Sequence, residues 1–439
     1  MRRIILFAAL LLGSLAARAQ QGPWTLADCI QYALDHNLTV QQSALSVEQR
    51  EVELNSAQAR RLPSLSASAT ENLSFGRGLT ADNTYSNSNT TSTSFSLGGE
   101  IPVFQGFDIT NGIKLSKLNL AAATADLEKA RDDIRVAVAQ AYVQILYNQE
   151  LLRVAREQTS HDAELLEQIR ERLGAGKVSA AEVSAQQATL AQSRQSEIQA
   201  EGNLQVSLLD LTQLLELPSP EGFSIVAPET GDPSAALLMR PEAIYEEAVA
   251  VKPAVEAARL NVDYAELNIA RAKGARLPSL SLNGGLGTNY YTNSKFTSAP
   301  FGEQMKNNFS QYLGLSMSIP IFQRFSIRNN IRTAQLQHQG QQLQLESVKK
   351  ALYKEIQQAY YNAVSAQARY AGSRESAASA RQHYELTEEK YKVGKAGVAD
   401  YNDARNSWLR AESEHIQARF QCLYQTRLLD FYRGKTLDF

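Results

Sequence analysis

Two periodicities alternate along this chain. Apolar residues recur at steps of four and three at Ile134, Val138, Ala141, Ile145, Leu152 and Ala155, with Asn148 in the gap. Leu352, Ile356, Ala359, Ala363, Ala366, Tyr370, Ala377 and Ala380 do the same, with Ser373 in the gap. That spacing belongs to helices packed along a common seam, and a seam made mostly of alanine lets them approach closely. No proline stands between Val103 and Leu217 or between Ile321 and Phe439. A helix from near Phe107 to Leu173 would run ~100 Å at 1.5 Å per residue, longer than any globular core.

Elsewhere the period is two. Leu65, Ala67, Ala69, Leu73 and Phe75 alternate with Ser66, Ser68, Thr70, Asn72 and Ser74, Glu71 being the exception. Phe95, Leu97, Ile101 and Val103 continue the pattern, as do Leu280, Leu282, Leu286 and Tyr290, and then Leu313, Leu315, Met317 and Ile319. The alternation predicts strands over about 64–76, 93–104, 279–291 and 309–322. Each is roughly 10 residues, the length a tilted strand needs to cross a bilayer. The polar runs Arg77 to Thr93 and Thr292 to Asn308 are expected to be surface loops. Four strands cannot close a barrel, and open edges are not tolerated in hydrocarbon, so several chains must pool their hairpins. The competing reading is a pair of soluble hairpins packed on a helix.

The pattern occurs twice. Ala33 to Ser66 aligns without a gap on Ala248 to Ser281, both ending in Arg-Leu-Pro-Ser-Leu-Ser; Ile101 to Gln105 matches Ile319 to Gln323, and Gly176-Lys177 matches Gly394-Lys395. Matching blocks in one order indicate two repeats, 20–232 and 233–439. Five of the twelve prolines fall in Leu217 to Pro241, which reads as the linker. Glycines near 174–177 and 392–397 interrupt helical patterns and predict helix–turn–helix tips.

Composition then narrows the chemistry. Arg2 and Arg3, the apolar run Ile4 to Leu12 and Ala17-Arg18-Ala19 have the layout of a secretory signal peptide over 1–19, so the mature chain is expected to begin near Gln20. Beyond it no stretch supplies the ~20 apolar residues of a membrane-spanning helix, and any membrane role falls to strands. Lys+Arg number 44 against 46 Asp+Glu, a net charge of −2, which argues against nucleic acid as a partner. Cys29 and Cys422 either pair or stay reduced in helix packing, with the unpaired reading preferred. His36, His161, His338, His383 and His415 lack partners at metal-ligand spacing and read as surface or packing residues. GxSxG, HExxH and dinucleotide-binding glycines are missing from the sequence, and Gly176-Lys177-Val178 is not a phosphate loop. No enzyme, cofactor or metal is expected.

The signal peptide, the duplication, Arg-Leu-Pro-Ser-Leu-Ser opening a strand, Ile-Pro-Val-Phe-Gln closing the next and the very long helix that follows resemble the TolC-like outer-membrane efflux proteins. The similarity runs from about Trp24 to Tyr432. It implies an α+β membrane protein. Long antiparallel helices would form a periplasmic α-barrel, and four strands per chain would join a twelve-stranded outer-membrane barrel shared by a homotrimer. Pro63, Pro278, Pro102 and Pro320 would mark the strand–helix junctions. The tips, at Ala175, Gly176 and Lys177 and at Val393, Gly394 and Lys395, would dock a periplasmic membrane-fusion adaptor and, through it, an inner-membrane pump. Asp400 and Asp403, three apart and so on one helix face, match the aspartates that ring the closed periplasmic entrance. Glu182 and Tyr391 match entrance-closing positions, while Ala396 stands where some members carry an arginine. The function implied is a passive exit duct for small molecules. Alternatives are a type I protein-secretion duct and, from another class, a periplasmic coiled-coil structural or adhesive protein.

Overall fold

The structure is a computed structural model that describes residues 22–79, 83–227, 238–295 and 297–437. The expected signal peptide, 1–19, and part of the expected linker, 228–237, lie outside the described residues. Helices α1 (Leu26–His36) and α2 (Leu38–Ala59) lead into strands β1 (Ser64–Leu79) and β2 (Tyr85–Gln105), then the long α3 (Asp108–Gly174) and α4 (Ala180–Leu214). The order recurs as α5 (Pro241–Val251), α6 (Pro253–Gly274), β3 (Ser279–Asn293), a short α7 (Phe301–Asn307), β4 (Ser310–Ser318), α8 (Ser326–Lys392) and α9 (Val398–Tyr432). Both α3 and α8 have 67 residues. Among the described residues no helix is long and apolar enough to cross a membrane.

Two compact units emerge. One comprises the chain up to Leu45, Ala125–Glu256 and Ser347 onward; the other comprises Ser46–Thr124 and Ala257–Glu346. In the first, the seam read from the sequence is the core: Val138, Ile145, Ile356, Ala363 and Ala366 are nearly inaccessible. The gaps are polar for a reason. Asn148 is buried and donates from Nδ2 to the Asn203 carbonyl oxygen, and Ser373 contacts His415. Buried amides and hydroxyls that find partners are tolerated in such a seam. Near the chain start, Trp24 and Ile225 form a parallel bridge, and the Tyr142 hydroxyl reaches the carbonyl oxygens of both Trp24 and Val226. Cys29 and Cys422 are buried free thiols.

The second unit carries one antiparallel sheet of order β1-β2-β3-β4. Its strands differ from the sequence expectation at their ends. β2 begins at Tyr85 rather than near 93, because Arg77 to Leu79 and Tyr85 to Thr93 pair with each other or their neighbours instead of looping. Serine- and threonine-rich strands lack the apolar alternation that reveals a strand, so these residues read as loop. The run Thr292 to Asn308 likewise contains α7. β4 stops at Ser318, with Pro320 beyond it. Pro102 lies inside β2 rather than at its end, at the register shift between Pro102 and Phe104, the kind of irregularity in which a strand tolerates proline.

Where strand gives way to helix, Gly106 takes a left-handed φ of 57° and its backbone lies against Gly274. A Cβ at Gly106 would stand 2.3 Å from the Gly274 carbonyl oxygen. Asp108, opening α3, accepts from Arg60 at 2.8 Å and Arg271 at 2.6 Å, fixing the same junction. We expect Gly106→Ala to cost at least ~2 kcal/mol, from the left-handed conformation and the clash together. Gly340→Ala, in α8 with open space around it, should instead stabilise by ~0.5–1 kcal/mol. Thermal unfolding of the detergent-solubilised protein followed by circular dichroism reads both.

Candidate functional site

The register sorts the sheet into two chemically different faces. One set of cross-strand rows reads Leu65–Gly99–Gly284–Leu313 and Ala67–Leu97–Leu286–Gln311; the other reads Ser64–Glu100–Asn283–Gly314, Ser66–Gly98–Gly285–Tyr312 and Ser68–Ser96–Gly287–Ser310. The second face is knit by hydroxyls and amides: Ser68 and Ser96 share a hydrogen bond of 2.7 Å, and Asn283 donates to Ser316 at 3.0 Å. The first face is apolar apart from Glu71 and Arg77 and largely uncovered, with Leu65 75% and Leu313 77% exposed. A pair of soluble hairpins packed on a helix would bury that face. Among the described residues only its far end is covered, by α7, where Tyr290 packs edge-on to Phe301.

α7 also solves an edge problem. β4 pairs with β3 only as far as Gly287, leaving the β3 backbone beyond it without a strand partner on that side. Gln304 supplies one: its Oε1 accepts from the Tyr291 N–H at 2.9 Å and its Nε2 donates to the Tyr291 carbonyl at 3.0 Å. Asn308 donates to the Asn289 carbonyl at 2.7 Å. The outer edges of β1 and β4 have no such cover among the described residues, and a bare edge is a template for another strand.

The two helix tips share one backbone device. Gly176 (φ 71°) donates to the Leu173 carbonyl and Lys177 to that of Arg172; Gly394 (φ 74°) and Lys395 repeat this with Tyr391 and Lys390. This 6→1 and 5→2 pattern ends a helix in a left-handed residue that glycine adopts freely. Ala175, Gly176, Lys177, Val393, Gly394 and Lys395 are all exposed. The next helix starts differently in each repeat. Ser179 and Glu182 cap one another reciprocally, with Ser179 N–H donating to Glu182 Oε1 at 3.1 Å. At the second tip Gly397 has no side chain to give, and only its N–H donates to Asp400 Oδ2, at 3.2 Å. Asp400 thus occupies the same capping position as Glu182, and both Asp400 and Asp403 are exposed.

Tyr391 points inward. It is buried with Leu165, Ile169 and Tyr401, and its ring stacks on Tyr401 at 5.0 Å. The Arg172 guanidinium lies 5.2 Å from the Tyr391 ring and donates to its hydroxyl at 3.3 Å. Burial raises the phenol above its usual value. Position 396 holds an alanine packed on this cluster, so the guanidinium beside Tyr391 comes from the other tip.

Sequence reasoning missed the strongest polar feature of this unit. Asp162 (0% exposed) on α3 and Arg405 (5%) on α9 form a buried ion pair. Ser193 of α4 donates to the second Asp162 oxygen, Gln186 reaches the Asp162 carbonyl at 3.4 Å, and Arg405 also donates to the Gln158 carbonyl at 3.1 Å. Asn402 donates to Gln186 at 3.3 Å. Next to the pair, His161 hydrogen-bonds Tyr401, which meets Tyr384 of α8 at 3.2 Å. A signal existed: the steps of four and three continue past Ala155 through Thr159, Asp162, Leu166 and Ile169, which places a carboxylate in the seam.

Asp162→Ala would leave Arg405 buried without its partner, and we expect a loss of about 3–5 kcal/mol, much of it recovered when Arg405→Met is added. Chemical denaturation of the single and double variants measures both. Burial first, and Arg405 second, hold the His161 imidazole below its usual value, with Asp162, Glu388 and Glu164 acting the other way. The unfolded chain therefore binds a proton near pH ~6.5 that the folded chain refuses, so this contribution to stability is lost as pH falls below that value. His161→Gln should show a smaller fall in unfolding midpoint between pH 7 and pH 5 than the unsubstituted protein.

The comparisons with known proteins agree with this geometry. The sequence model described as Outer membrane efflux protein matches residues 29–216 and 244–434. Outer membrane protein TolC of Escherichia coli (strain K12) is 26% identical over 362 residues, covering 79% of this chain and 71% of that protein. The "Proteases secretion protein PrtF" of Dickeya chrysanthemi is 21% identical over 66% of this chain and 62% of its own length. The Campylobacter jejuni CmeC outer membrane channel superposes with a TM-score of 0.75 at 20% identity, covering 94% of this chain and 86% of that one. With both halves of its described helices and strands matched, the chain belongs to the outer membrane efflux protein family.

Proposed function

We propose that three copies of this chain share one twelve-stranded barrel in the bacterial outer membrane, the first face of each sheet toward lipid and the serine-lined face toward the lumen. The observation that carries this reading is a bare apolar sheet face between two open edges. Hydrocarbon accepts the face but not the edges. Four strands are too few to close, whereas twelve lie within the range of closed membrane barrels. Each chain then contributes the paired helices of its repeats, 20–232 and 233–439, to a periplasmic wall.

In this assembly the protein is a passive duct. A membrane-fusion adaptor docks on the tips at Ala175, Gly176 and Lys177 and at Val393, Gly394 and Lys395, and an inner-membrane pump supplies the energy. Asp400 and Asp403 ring the entrance, with Glu182 and Tyr391 at the contacts that hold it closed. The cargo is small toxic molecules. The similarity to a protease secretion protein favours a second cargo, exported polypeptide, through the same duct.

Outer-membrane fractionation with heat-modifiable migration tests the assembly, and recovery as a detergent-free soluble monomer would overturn it. Deletion should raise sensitivity to dyes and detergents several-fold; loss of an exported protein with unchanged sensitivity would select the second cargo. Asp400→Ala with Asp403→Ala should lower cation preference in planar bilayers, and unchanged selectivity would remove both from the entrance.

A further inference from the structure

Charge is nearly absent from the serine-lined face of the sheet. From the row Ser64–Glu100–Asn283–Gly314 to the row Ser74–Thr90–Asn293, that face carries hydroxyls, amides, glycines and two tyrosines. Among the described residues, Glu100 is its one carboxylate, and no lysine or arginine shares it. The other strand charges, Glu71 and Arg77, sit at alternate positions and so on the opposite side of the pleat.

Glu100 is exposed and has no ion-pair partner among the described residues. Its row neighbours on the flanking strands are the short Ser64 and Asn283. Across β3 in the same row stands Gly314, which has no side chain. One row further on, the large side chain of Tyr312 lies over Gly285, where a Cβ would come within 2.7 Å of its ring. The glycine lets that ring lie along the wall. The carboxylate is therefore left facing the open side of the sheet, close to the end from which α3 departs.

We infer that Glu100 is a specificity-determining residue of the duct: the fixed charge that makes the barrel prefer cationic over anionic solutes, separately from any acidic entrance. The inference rests on the shared-barrel reading above, which brings three Glu100 carboxylates to one level of the lumen. A ring of like charge in an otherwise neutral passage attracts counter-charged solutes and repels co-ions. Salt screens it over ~10 Å at 0.1 M, so the preference is strongest in dilute electrolyte. The hydroxyl wall, donor and acceptor at once, suits neutral polar groups of many shapes.

Reversal potentials in planar bilayers under a KCl gradient read the effect. In the Asp400→Ala, Asp403→Ala background, Glu100→Gln should bring the cation-to-anion permeability ratio down toward one, and Glu100→Lys should invert it. A ratio unmoved by Glu100→Lys overturns the inference. Labelling with a membrane-impermeant charged thiol reagent tests the underlying orientation by itself, since the two native thiols are buried. Ser66→Cys should react and Leu65→Cys should be protected by lipid. The reverse labelling would overturn the barrel orientation and the inference with it, whereas expected labelling with an unmoved ratio would overturn the role of Glu100 alone.

Discussion

An apolar sheet face covered only at its far end by α7, with hydrogen-bonding edges left open among the described residues, is the constraint on which everything else in this protein depends. In water the face would have to be buried; in lipid the edges would have to be paired. No single copy meets both demands. The structure meets part of the edge demand locally, by laying Gln304 and Asn308 along the β3 backbone that β4 does not reach. That economy leaves the outer edges of β1 and β4 uncovered among the described residues. Membership of the outer membrane efflux protein family is shown by the matched sequence of both halves.

The first unit shows the opposite logic. There the charged groups at the centre of the seam are inside and paired. Asp162 is held by Arg405 and Ser193 from two other helices, and Tyr401 links His161 on α3 to Tyr384 on α8. Four helices near the tips are thus tied within one chain. Buried networks of this kind favour one arrangement of the helices, because any sliding leaves a charge or hydroxyl without its partner.

Much of this was legible in the sequence, for identifiable reasons. Most of the seam from Ile134 to Leu152 and from Leu352 to Ala377 is buried as its spacing demands, with Ala141, Ala155 and Ala380 half-buried, because helix periodicity and burial are the same fact seen twice. The apolar strands were visible through alternation. Tyr85 to Thr93 was not, because a strand with polar residues on both faces carries no period-two signal in hydropathy. α7 was hidden by its shortness. The glycine tips were legible as helix stops, since a left-handed residue ends a helix by local backbone bonding alone. The Asp162–Arg405 pair lies 243 residues apart in the chain, and only the charge in the seam hinted at it.

Divergence between the repeats bears on the acidic pair. Glu182 and Asp400 hold equivalent places, but Ser179 returns the capping bond in the first repeat and Gly397 cannot in the second. Asp400 therefore spends one oxygen on the Gly397 N–H as the only side-chain cap of α9, and the helix dipole favours its charge there. Asp403, one turn further on, has no such obligation and is exposed on the same face. A carboxylate committed to a backbone N–H turns toward a passing cation less freely than an uncommitted one. Of the two, Asp400 has a structural reason to be acidic whether or not it faces a pore, whereas Asp403 has no backbone bond that calls for its charge among the described residues.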